Sequence, residues 1–137
     1  RLKEPAALSG GESVGVVEFL MAWPGQPARV RGAIEHALAW FGHSVITGLR
    51  KTHRDGRTWY DPYPAATDRL WARFYDIKNN TPLFPGAEDG VIYPTYNAMQ
   101  DRNKASYAFY LDDAAELLGK KQVKWRKSLE HDNASPP

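Results

Sequence analysis

A chain of 137 residues with 42% hydrophobic and 25% charged side chains is one domain's worth of globular sequence. Its formal charge of +2 is too small to argue for a nucleic-acid binder, and no apolar run approaches the roughly 20 residues of a membrane span. The lack of cysteine excludes disulfides and thiolate metal sites and leaves the compartment open.

The first residue is arginine and nothing near it reads as a signal segment, so Arg1 is expected to be a cut inside a longer chain. The domain is expected over residues 1–131, with 132–137, ending Ala134-Ser135-Pro136-Pro137, opening a linker. Ser9 and Glu12 form a capping box, in which the serine oxygen takes a helix amide and Glu12 reaches back. Val14, Val17, Phe19, Leu20 and Met21 then predict a helix with a broad apolar face, ended by Trp23-Pro24-Gly25. Pro27 suits the start of a second helix, where Val30, Ile34, Leu38 and Phe41 recur at core spacing.

Residues 45–52 alternate as a strand that pairs with 57–60 across Asp55-Gly56, a strong turn signal. Asp61-Pro62-Tyr63-Pro64 is a proline-set loop. Residues 70–90 follow as a tight hairpin: Trp71, Arg73 and Tyr75 share one face, Phe74 and Asp76 the other, with Asn79-Asn80 at the turn. Pro82 confines the return strand to a sheet edge because it has no amide to donate. Val91-Ile92-Tyr93 is another short strand, and 96–110 shows no clean period. A last helix runs from an Asp112 cap to Trp125, its lysines suiting the negative end of the helix dipole. The fold class expected is mainly α, with short β-hairpins between the helices.

His36, His43, His53 and His131 share no metal-ligand spacing. Asp112-Asp113 and Glu88-Asp89 read as a cap and a turn. What remains is basic side chains interleaved with aromatic ones: Arg50, Lys51, Arg57, Trp59, Tyr60, Arg73, Tyr75, Arg102, Lys104 and Tyr107. Guanidinium forks pair with carboxylates and aromatic faces cover the apolar patches of pyranose rings, so the pattern suits an anionic sugar polymer. It also suits an aromatic core overlain by solvated basic side chains, or a nucleic-acid surface.

Four stretches resemble the family 10 pectate lyases, which cleave polygalacturonate by β-elimination. They are Arg1-Leu2-Lys3-Glu4-Pro5, Leu8-Ser9-Gly10-Gly11-Glu12-Ser13-Val14-Gly15, Trp71-Ala72-Arg73-Phe74-Tyr75-Asp76 with Asn80, Pro82 and Phe84 behind it, and residues 102–109. The resemblance implies the C-terminal half of an α/α-toroid lyase. It implies Arg1 as the base that removes the C5 proton and Arg73 as a carboxylate ligand. Together with the basic and aromatic pattern, the expected substrate contacts are Arg73, Arg1, Lys3, Arg50, Tyr75, Arg102, Lys104 and Tyr107.

Several positions depart from the family pattern. Glu88-Asp89-Gly90 stands for Arg-Asp-Gly, and Glu18 for a basic residue. The paired basic residues become Asn103-Lys104, the glycine Ser106 and the tryptophan Phe109. The family's calcium aspartates belong to its N-terminal half, and no carboxylate cluster here offers the roughly six to eight oxygens calcium prefers. The expectation is therefore a truncated, non-catalytic module of a larger secreted protein that binds polygalacturonate. It needs no cofactor or metal of its own, and its partners are acidic polysaccharide and other modules of the same polypeptide, not nucleic acid or membrane. The alternative is the C-terminal half of an active, calcium-dependent pectate lyase. A plain interaction domain without a sugar site is the third reading.

Overall fold

The computed structural model describes residues 4–104 and 108–134. A short strand β1 (Ala7–Leu8) leads into helix α1 (Glu12–Met21). The Ser9 hydroxyl accepts from the amides of Gly11 (3.2 Å) and Glu12 (3.0 Å), satisfying donors that a helix start leaves orphaned. The Glu12 carboxylate lies 3.6 Å from the Arg73 guanidinium. Gly10 is required by close approach: a Cβ there would stand 2.2 Å from the Ala72 carbonyl oxygen. Helix α2 (Ala28–Ser44) follows Pro27, whose φ of −55° suits a helix entry, and it buries Ile34, Leu38 and Phe41.

Strands β2 (Leu49–Arg54) and β3 (Arg57–Pro62) form the longest pairing. Their turn residues Asp55 and Gly56 take φ of 51° and 71°, the left-handed pair a two-residue hairpin demands. Four two-residue strands come next: β4 (Trp71–Ala72), β5 (Tyr75–Asp76), β6 (Phe84–Pro85) and β7 (Ile92–Tyr93). Helix α3 (Tyr96–Arg102), strand β8 (Tyr110–Leu111), helix α4 (Asp113–Glu116) and helix α5 (Gln122–Ala134) complete the described chain. A π-helical stretch, Leu117–Lys121, joins α4 to α5 with non-helical backbone at Gly119.

Antiparallel pairs β1–β5, β4–β8 and β6–β7 knit distant segments together. Among the described residues 43% are helical and 21% are strand, so the fold is mixed α/β. The expectation of a mainly α half-toroid is thereby corrected. The reason is local: two-residue strands are too short to show alternation, yet each closes hydrogen bonds between segments that otherwise read as loop. Residues 96–110 also hold a helix, capped by the Thr95 hydroxyl accepting from the Ala98 amide at 3.1 Å. The last helix runs past Trp125 to Ala134, which moves its lysines away from the C-terminal turn.

The expected hairpin is present, but its first arm is broken between Ala72 and Tyr75. Leu83 N donates to Phe74 O (2.9 Å) and Asp76 N to Thr81 O (2.8 Å). The Asp76 carboxylate holds the turn by accepting from the amides of Lys78 and Asn79, and Asn80 sits at φ 52°. Pro82 bridges Tyr75 on the return arm.

Two hydrophobic clusters make the core. One joins α1, α2 and α5 through Val14, Val17, Ile34, Phe41, Leu117 and Trp125, with Trp71 inserted. The other gathers Phe74, Tyr75, Phe84, Tyr96, Met99, Phe109 and Tyr110. Trp40 packs against both. The Tyr75 hydroxyl donates to Ser44 O (2.7 Å) and accepts from Ala72 N (2.9 Å), all buried. Tyr75→Phe leaves that amide and carbonyl unpaired, so it should cost about 1–3 kcal/mol and lower the melting temperature by several degrees. Calorimetry checks this: an unchanged melting temperature would show that the hydroxyl contributes nothing.

Candidate functional site

One face of the β2–β3 hairpin lies on α3, and the seam is hydrogen-bonded along its length. The hydroxyl of Tyr96 (3.1 Å) and the amide of Gln100 (3.0 Å) both donate to Thr58 O. Asn97 accepts from Tyr60 N at 2.9 Å and donates to Asp61 at 3.0 Å. Strand pairing β4–β8 brings Tyr110 to the same place, where Tyr60 meets it edge-on at 4.6 Å and meets Tyr96 at 5.1 Å. A cleft of about 330 Å³ opens here, walled by Tyr60, Tyr96, Phe109 and Tyr110. Lys51, Arg57 and Lys104 line it as well. Beyond the three tyrosines a second, more apolar hollow of about 390 Å³ reaches Leu49, Pro62 and Phe84.

The charges differ in how far they are committed. Arg57 donates to the carbonyls of Gln100 (2.8 Å) and Asp101 (3.3 Å), capping the C-terminal end of α3. Lys51 and Lys104 are exposed and form no ion pair among the described residues. Burial pushes the hydroxyls of Tyr60, Tyr96 and Tyr110 above the ordinary tyrosine range. They therefore stay neutral at alkaline pH and do not repel an anion.

Of the residues singled out in the sequence, Lys51, Arg57, Tyr60 and Lys104 converge on this cleft. Arg50 stands on β2 with its guanidinium 4.6 Å above the Tyr63 ring, and Arg102 ends α3 in solvent. Tyr75 is 1% exposed, and its ring offers no surface to a ligand. Trp71 is fully buried too, so the shared face expected for Trp71, Arg73 and Tyr75 is occupied by the core. Arg73 is partly exposed, beside Glu12 and 5.8 Å from the Phe74 ring centre. Arg1, Lys3 and Tyr107 lie outside the described residues, as do Ser106 and the last three residues of the expected linker. Tyr96, Gln100 and Tyr110 are site residues that the sequence reading missed.

Asn103 is fully buried and belongs to the scaffold. Its side-chain oxygen accepts from the amides of Glu88 (2.9 Å) and Asp89 (3.2 Å), while its nitrogen donates to the Asp89 carboxylate (3.2 Å). Gly86 packs so closely on this amide that a Cβ would stand 2.6 Å from it. Hydrogen bonds from Tyr93, the Val91 amide and Asn103 hold the Asp89 carboxyl below its usual range. Glu88 is exposed on the loop so fixed. Glu18 lies elsewhere, paired with Lys121 at 2.7 Å. No three acidic or histidine side chains come together among the described residues.

The sequence profile of the pectic acid lyase family matches residues 1–118. The chain belongs to that family. A search of curated proteins finds no significant match. Membership in the pectic acid lyase family points to an acidic polysaccharide as the substrate or ligand. No helix among the described residues is long and apolar enough to cross a membrane.

Asp61 ties the outer face of the hairpin. Arg54 (2.7 Å) and Thr52 (3.0 Å) donate to it together with Asn97, and these bonds hold its carboxyl below the usual 3.8. A depressed carboxyl contributes stability that is fully present above its unfolded value and is lost as pH falls through the folded one. Asp61→Asn should therefore be less stable than the parent at pH 6, with the gap closing as pH falls below about 4. Melting curves across that range test it; a gap independent of pH would remove Asp61 from the acid response.

Proposed function

We propose that the chain binds polygalacturonate without cleaving it, as a relative of the family 10 pectate lyases acting as a carbohydrate-binding module of a secreted protein. What carries the reading is the cleft at the β2–β3 and α3 seam, where four aromatic walls meet two lysines that no carboxylate of the described chain neutralises. Uronate rings have apolar C–H faces and an anionic edge, and such a cleft supplies a counterpart to each. Two positions that are cationic in the family pattern support binding without cleavage. One holds Asn103, whose amide is buried and spent on the Glu88 loop; the other holds Glu88, an anion in solvent. The polymer belongs to plant cell walls, which is why the reading places the protein outside the cell.

Lysine–carboxylate pairs at a surface are worth about 0.2–1 kcal/mol each and are screened by salt. Lys51→Ala with Lys104→Ala should thus weaken retention in a polygalacturonate affinity gel by about fivefold, with the melting temperature kept. Lys78→Ala, on the hairpin turn, should change nothing. Equal retention of the double variant and the parent would refute this site. The non-catalytic part is tested by incubation with polygalacturonate and calcium at alkaline pH, following absorbance of the unsaturated product. Product formation that scales with protein concentration would show an active lyase.

A further inference from the structure

Helix α1 ends in an apolar edge that the core does not use. Phe19 is 64% exposed and Trp23 43%, and their rings meet edge-on at 5.7 Å. The turn that carries Trp23 is pinned: the Gln26 amide donates to the carbonyls of Leu20, Met21 and Trp23 and accepts from the Trp125 indole at 3.0 Å. A hollow of about 380 Å³ beside Phe19 and Trp23 meets a second, of about 360 Å³, at Ala22. The second runs to Lys121 and Lys124.

Residues 117–129 carry five cations and no acid: Lys120, Lys121, Lys124, Arg126 and Lys127. Lys121 is taken by Glu18 (2.7 Å) and Arg126 by Glu35 (2.6 Å). Lys120, Lys124 and Lys127 recur at helical spacing, are exposed, and form no ion pair among the described residues. The helix dipole does not account for them. Because α5 runs on to Ala134, Lys124 lies in its first turn, at the positive end where a cation is disfavoured, and Lys127 lies in mid-helix, far from the C-terminal turn. Three lysines without an acidic partner among the described residues, of which Lys124 lines the hollow that adjoins the fixed aromatic edge, form a surface complementary to an anion with apolar faces.

We propose that this surface is a second binding site for acidic polysaccharide. Phe19 and Trp23 take the C–H faces of sugar rings, and Lys120, Lys124 and Lys127 take the carboxylates. The proposal rests on the polysaccharide reading of the chain, but it shares no residue with the cleft, and a polymer long enough to span both sites would gain avidity.

Affinity gels with long polygalacturonate test it on three variants whose melting temperatures match the parent. Trp23→Ala with Lys124→Glu should lower retention by about tenfold, as expected when one of two linked contacts is lost. Adding Lys51→Ala and Lys104→Ala should abolish what is left. If the Trp23/Lys124 variant keeps parental retention while the Lys51/Lys104 variant loses it, this surface is no site and the cleft stands. If only the Trp23/Lys124 variant loses retention, the cleft reading fails and this surface remains. Sedimentation with phosphatidylserine-containing vesicles that depends on Trp23 and Lys124, with retention by polygalacturonate unaltered, would overturn the proposal in favour of a membrane surface.

Discussion

The C-terminal end of α2 leaves carbonyls that no helical amide can satisfy, and side chains of the central hairpin satisfy them. The Trp71 indole donates to Phe41 O at 2.9 Å and the Tyr75 hydroxyl to Ser44 O at 2.7 Å. Asn80, in left-handed backbone at the hairpin turn, donates to the Ser44 hydroxyl and accepts from the Trp40 indole. With α2 and the hairpin locked in this way, neighbouring segments have few places to go. The Gly10 amide donates to Ala72 O at 3.1 Å, which sets the approach of α1. Ala72 pairs with Tyr110, and Tyr110 completes the aromatic wall of the cleft. The site is thus several hydrogen bonds removed from the contact that orients it.

That dependence changes what the hairpin's wording means. Trp71, Ala72, Phe74 and Tyr75 are all buried, and Asp76 closes the turn with its carboxylate. Arg73 and Asp76 are the partly exposed residues of that stretch, and Arg73 lies against Glu12, the first residue of α1. A stretch that identifies the family is therefore mostly a description of how the hairpin holds α2. Likeness there speaks for a common scaffold rather than for a common chemistry.

The elements legible in the sequence are those with a complete local signal. Ser9 before α1, Pro27 before α2 and Asp55-Gly56 between β2 and β3 each solve a backbone problem on the spot, and the structure shows all three. The two-residue strands solve theirs across long separations, Ala7 with Asp76 or Trp71 with Leu111, and no local period records them. Helix α3 had a weak signal: Thr95 as cap, then Tyr96, Met99 and Asn103 at three- and four-residue spacing on a buried face. Without α3 and β8, Lys51, Tyr60 and Lys104 could be chosen by type but not brought together. Strand parity gives Tyr75 a ligand-facing side, and the interruption of the strand at Arg73 and Phe74 cancels that parity.

The described cations are also unevenly committed, and that bears on how a repeating anion would be held under the proposed reading. Arg54 is spent on Asp61, Arg57 on the end of α3 and Arg126 on Glu35, while Arg73 stands beside Glu12. The cations left unpaired at the cleft are lysines, point charges on flexible stems. Acidifying a C5 proton requires one carboxylate fixed within a fraction of an ångström, the task for which a planar two-pronged arginine is suited. Lysines at the mouth of an aromatic cleft instead tolerate many registers of a repeating anion, each weakly and with strong dependence on salt. Retention of a chain that slides needs several such contacts at once and little geometry at any of them.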